Sequence, residues 1–146
     1  MDDGEGHLYI GHAGFGMSIL SLANNTVKNY MNSPWKSNSI PGNDVRCIYK
    51  DTHGNIWIGT EKGLSIFDDK KEEFIVPSHL PQELRNSYVF DIYQTDDDKL
   101  WIGTELNGIF IIDLKRDFLR PLEKEMNIEH IITSAVSYTH LTLPTT

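Results

Sequence analysis

The sequence has a single cysteine, Cys47, so no disulfide can form within the chain. It has no run approaching the roughly 18 consecutive apolar residues of a membrane-crossing helix. Its opening, Met1-Asp2-Asp3-Gly4-Glu5, lacks the basic and apolar regions of a secretory signal. Positive charge is scarce: 13 Lys and Arg against 21 Asp and Glu leave a net charge of −8 with no basic stripe, which speaks against a nucleic-acid or anionic-membrane partner for this segment. Chemical motifs are missing as well. There is no glycine-rich phosphate loop, no Cys or His pair at zinc spacing and no Gly-x-Ser-x-Gly elbow, so the segment reads as non-enzymatic, with no catalytic residues, no cofactor and no metal. Asp96-Asp97-Asp98 lacks the alternating ligands and distal Glu of a calcium loop and reads as a solvated hairpin turn. The six histidines are scattered and read as structural or exposed. Asn24-Asn25-Thr26 fits a glycosylation acceptor but reads as an ordinary turn.

What the chain does have is a repeat. With 39% hydrophobic and 10% aromatic residues it can bury a core. Ile56-Trp57-Ile58-Gly59-Thr60 returns as Trp101-Ile102-Gly103-Thr104 and, with an aromatic exchange, as Tyr9-Ile10-Gly11. The repeated glycines Gly11, Gly59 and Gly103 stand 48 and 44 positions apart, within the roughly 40–50 residues of a β-propeller blade. Each copy extends further: Asp51 to Trp57 aligns without a gap to Asp3 to Tyr9 and to Thr95 to Trp101, and Gly63-Leu64-Ser65-Ile66-Phe67-Asp68 answers Gly108 to Asp113. Upstream, Val45-Arg46-Cys47-Ile48-Tyr49 answers Val89-Phe90-Asp91-Ile92-Tyr93, and the first copy has no such partner. A supersecondary unit is repeated, and the expectation is an all-β propeller fragment of four-stranded antiparallel blades, about two and a half of them.

Taken in order, residues 1–31 form a partial blade, with strands around Tyr9, Met17 to Leu22 and Val27 to Met31. Residues 32–43 are rich in turn formers and connect to the next unit, with Trp35 expected to pack as a plug between sheets. Residues 44–77 form a complete blade; Gly54 suits a hairpin position with positive φ, and Gly59, at a strand end, suits close approach of a neighbour. Residues 78–86 form a second connection and 87–121 a second complete blade ending in an outer strand around Phe118 to Pro121. Residues 122–135 read as the start of a further blade, Asn127 to Ile132 matching Asn43 to Ile48, and 136–146 resemble a translated sequencing adaptor, so the chain reads as a fragment at both ends.

With the units aligned, Asn43-Asp44-Val45, Ile48, Asp51, Gly54-Asn55-Ile56-Trp57-Ile58-Gly59-Thr60, Gly63-Leu64 and Asp68 resemble the two-component regulator propeller repeat. The likeness covers about residues 3–132; Tyr9 and His12 depart from it, as does Asp98 at the turn glycine, all without disturbing the fold pattern. The resemblance implies the periplasmic, extracytoplasmic sensor of a membrane-anchored, dimeric hybrid histidine kinase. It implies glycan-derived oligosaccharides as ligand, and further blades and signalling domains as covalent partners. A protein-interaction platform, or a propeller lyase with its catalytic residues in other blades, is the alternative, because propellers host many functions.

Two structural expectations follow. Val45, Ile48, Ile56, Trp57, Ile58, Leu64 and Ile66, with Val89, Ile92, Leu100, Trp101, Ile102, Ile109 and Ile111, should pack between stacked sheets, since both faces of a blade are covered. Meander connectivity puts the link entering each first strand on the same face as the turn between the second and third strands. That face carries the ligand-binding candidates Tyr88, Glu105, Asn107, Glu61, Lys62, Asn86, Asp44 and His12, with Asn43, Ser87, Leu106 and Phe15 beside them, while His53 and Asp97 lie on the other. The structural positions of the repeat are Gly11, Trp57, Gly59, Trp101 and Gly103.

Overall fold

The computed structural model describes residues 1–78 and 80–115 and the backbone of Ile128–Ile131. These residues form three antiparallel sheets that follow one another along the chain. The first holds β1 (His7–Gly11), β2 (Met17–Ser21) and β3 (Thr26–Tyr30). The second holds β4 (Val45–Lys50), β5 (Ile56–Thr60), β6 (Gly63–Asp68) and β7 (Glu73–Ile75). A single helical turn, α1 (Gln82–Arg85), sits in the second connection. The third sheet holds β8 (Val89–Gln94), β9 (Lys99–Thr104), β10 (Ile109–Asp113) and β11 (Ile128–Ile131). Sequential meanders whose first strands lie side by side make a β-propeller arrangement, as the repeat period requires.

Period-two alternation in the central sheet explains why its strands are apolar on both sides. Ile56, Ile58 and Phe67 point to the first sheet, where they meet Tyr9, Met17, Ile40, Val45 and Phe74. Trp57, Leu64 and Ile66 point the other way and meet Val89, Ile92, Leu100, Ile102, Phe110 and Ile112 of the third sheet, closed off by Leu80 and Leu84 of the connection. Of the expected packing residues, Ile48 and Trp101 are half-buried and the other twelve are buried. Gly59 lies where the two layers touch: a Cβ there would meet Cys47 Sγ at 2.4 Å and Val89 Cγ1 at 2.7 Å.

In the first two units one acidic residue ties the turn before the strand that carries Tyr9 or Trp57. Asp51 accepts from the amides of His53 and Asn55 at 2.9 Å each, from Asn55 Nδ2 at 2.9 Å and from the buried indole of Trp57 at 2.8 Å. Asp3 repeats the clasp in the first unit, accepting from the amides of Glu5 at 2.7 Å and His7 at 3.0 Å. Thr95 stands at this position in the third sheet and bonds Asp97 and the Lys99 carbonyl instead, so the buried indole nitrogen of Trp101 has no partner among the described residues.

The two innermost strands share an irregularity. The β4–β5 register passes from Val45 opposite Thr60 to Cys47 opposite Gly59, leaving Arg46 unpaired. The β8–β9 register passes from Val89 opposite Thr104 to Asp91 opposite Gly103, leaving Phe90 unpaired. Both are β-bulges at equivalent repeat positions. They explain how Val89 and Ile92, three residues apart, enter one core layer, which strict alternation forbids.

Two expectations change. Ile128–Ile131, read as part of a first strand of a further unit, pairs instead with β10 as the outer strand of the third sheet, Ile109 opposite Ile131 and Ile112 opposite Ile128. A local match to the repeat specifies a strand and not its ladder, and the open edge of β10 supplies unpaired N–H and C=O groups that must find partners. The outer strand expected around Phe118 to Pro121, and the adaptor-like residues 136–146, lie outside the described residues. Trp35, expected to plug adjoining sheets, is 92% exposed, and Ile40 from the same connection fills the core in its place.

Candidate functional site

The loops that enter the first strands and those between second and third strands are laced to one another. Gly16 N–H donates to the Asn43 carbonyl at 2.7 Å and Val45 N–H to the His12 carbonyl at 2.9 Å. Asp44 N–H donates to Glu61 Oε2 at 3.0 Å, and Glu105 N–H to the Tyr88 carbonyl at 2.9 Å. One face of the sheets therefore carries a continuous band of connected loops, an arrangement that lets side chains be held for binding.

At the centre of the band three candidates come together with two residues that were not among them. The Tyr88 hydroxyl donates to Asp44, whose amide is held by Glu61. The Tyr88 ring stands edge-to-face on Phe90, centroids 4.9 Å apart and 78° inclined. The Arg46 guanidinium lies over the other aromatic of the pair, 5.1 Å from the Phe90 centroid. The bond to Asp44, then burial and the negative charge of Asp44, push the Tyr88 hydroxyl up to about 12, so it stays neutral near pH 7. Arg46 and Phe90 are the bulge residues, and the broken alternation in Val45-Arg46-Cys47-Ile48 and Val89-Phe90-Asp91-Ile92 is the sequence signal that could have found them.

The remaining candidates lie around this cluster without joining it. Asn107 Nδ2 donates to Ser87 Oγ at 2.5 Å and to the Glu83 carbonyl at 3.3 Å, tying the β9–β10 turn to α1. His12 Nε2 is 2.8 Å from Ser18 Oγ. Lys62, Asn86 and Glu105 are exposed. Phe15 and Leu106 stand out from loops of the same band, 69% and 86% exposed, and Trp35 stands out from the first connection, 92% exposed.

The opposite face is occupied by inter-sheet bonds. His53 Nε2 lies 2.8 Å from Asp98, Thr52 N–H donates to Gln94 Oε1 at 2.9 Å, and Gln94 Nε2 donates to Thr52 Oγ1 at 2.7 Å. These join the second and third blades turn to turn. A cleft of about 380 Å³ on that side, lined by Tyr9, Tyr30 and Phe67, is the seam between the first two sheets and is bridged by Tyr30 and Lys28 to Glu72. Among the described residues no cluster of His, Cys, Asp or Glu could hold a metal ion, and no helix is long and apolar enough to cross a membrane.

Comparison with known proteins follows the same two blades. The model of the two component regulator propeller family matches residues 39–62 and 83–106, each beginning in a connection and ending in the turn after a second strand. The chain carries two component regulator propeller repeats. The extracellular domain of the putative hybrid two component system BT3049 from B. thetaiotaomicron is 45% identical over 93% of the chain, with a TM-score of 0.69. The extracellular domain of the putative hybrid two component system BT4673 from the same organism shares the fold at 23% identity over 80% of the chain, with a TM-score of 0.65. The chain spans 15% of the first of these and 16% of the second. No curated protein matches it.

Proposed function

We propose that these blades belong to the ligand sensor of a hybrid two-component histidine kinase, lying in the periplasm and joined to further blades, a membrane anchor and signalling domains. The observation that carries this reading is the 45% identity to the extracellular domain of a putative hybrid two component system across nearly the whole chain. In this reading the ligand is a glycan-derived oligosaccharide, and the loop band holding Asp44, Glu61 and Tyr88 is the contact face. Its chemistry supports a sugar: a neutral phenol, carboxylates and amides for hydroxyl groups, with aromatic rings alongside for the apolar face of a pyranose. The blades serve binding and conduct no chemistry of their own. The intact receptor, titrated with an oligosaccharide panel by calorimetry, tests this. Tyr88→Ala and Glu105→Ala should weaken binding while His53→Ala and Asp97→Ala leave it unchanged; the reverse pattern refutes the choice of face.

A second reading, a protein-docking platform, draws on Phe15 and Leu106, which expose large apolar side chains on the loop band, and on Trp35 of the first connection. Replacement of all three by Ser separates the two: saccharide affinity persists under the first reading, and association between receptor chains is lost under the second.

A further inference from the structure

We propose that Arg46 and Phe90 are a carboxylate-reading pair on the sensing face, so that the saccharide taken there is an acidic one bearing a uronate group. This rests on the saccharide-sensor reading above. In a chain of 21 acidic residues, Arg46 is exposed and makes no ion pair with any described residue. The bulge releases it from the ladder, and its guanidinium carbon stands over the Phe90 ring, 5.1 Å from the centroid. A guanidinium held over a ring by cation–π attraction keeps N–H groups available for the fork that matches a carboxylate, and it stays charged at every physiological pH.

The neighbouring acids do not pair with it directly. Asp44 accepts from the Tyr88 hydroxyl, Glu61 from the Asp44 amide, and Asp91 from the Ile92 amide at 2.9 Å. Their charge sets a limit on the ligand as well: one carboxylate facing Arg46 is favoured, whereas a densely charged polyanion is repelled by the three acids around it. Tyr88, neutral and fixed beside Phe90, has a lone pair left to accept from a sugar hydroxyl.

The test uses the intact receptor and matched disaccharides: digalacturonate with galactobiose, diglucuronate with cellobiose, and dimannuronate with mannobiose. One acidic member should bind more tightly than its neutral partner. Arg46→Gln should weaken that acidic ligand about tenfold or more, as expected for loss of a charged hydrogen-bonding group, and weaken its neutral partner by much less. Arg46→Lys should recover only part, since it keeps the charge and loses the planar fork, and Phe90→Leu should weaken the acidic ligand in the same direction. Unchanged melting temperatures of the Arg46 variants separate recognition from folding. Equal affinity for acidic and neutral partners, or no effect of Arg46→Gln, overturns the proposal while leaving the sensor reading intact. Failure of every saccharide in a wider panel overturns both.

Discussion

Asp51 gathers four donors on one carboxylate, and one of them is the indole of the fully buried Trp57. Asp51→Ala leaves that N–H and two turn amides without their acceptor, and should lower stability by about 3 kcal/mol in the intact propeller, read from chemical denaturation. The third sheet offers the converse experiment. Thr95→Asp puts a carboxylate where Asp51 stands in its own blade, within reach of the unpartnered Trp101 nitrogen, and should raise stability by about 1 kcal/mol. At Asp3, burial pushes the carboxyl up, but the amides of Glu5 and His7 and the His7 ring outweigh it and hold it below the usual range. A folded pKa below the unfolded one gives stability that is present above about pH 4 and lost as pH falls through the folded value. Asp3→Asn should therefore flatten the acid side of the stability profile. Burial likewise pushes the Cys47 thiol up to about 12, so iodoacetamide should label the native protein slowly and the unfolded protein at once.

Among the elements, β5 is restricted at Gly59 because β4 and β8 both close on it. Gly59→Ala places a methyl against Cys47 Sγ and Val89 and should cost about 1–3 kcal/mol, whereas Gly54→Ala, at a φ of +87° in open space, should cost nearer 1 kcal/mol. Both glycines, and the strands around them, were legible in the sequence because the repeat writes them more than once and alternation gives each strand two apolar sides. The connections were less legible. Turn-forming residues in 32–43 indicate a loop without saying which side chain turns inward, and the core took Ile40 rather than Trp35. The partner of Ile128–Ile131 was hidden for a related reason, since a match to the repeat identifies a strand and long-range pairing selects its ladder. That Asp44, Glu61 and Tyr88 lie on one face was legible from connectivity, while the place of Arg46 and Phe90 beside them needed the ladder itself.

For the molecule, the sheets stabilise one another across their faces, and the first sheet presents Ile10, Leu22 and Val27 to solvent. The chain expressed by itself should associate, with a sedimentation coefficient that rises with concentration and a broad melt, because a repeat array draws its stability from neighbour interfaces. A sharp melt of a monomer at low concentration would count against this. The bulges have a wider consequence. Around them Val45 and Val89, Ile48 and Ile92, and Tyr49 and Tyr93 are the same residue in both blades, while the slot itself holds Arg in one and Phe in the next. Such a slot is like one wheel of a combination lock: each blade contributes a letter that can be reset without disturbing the drum that carries it.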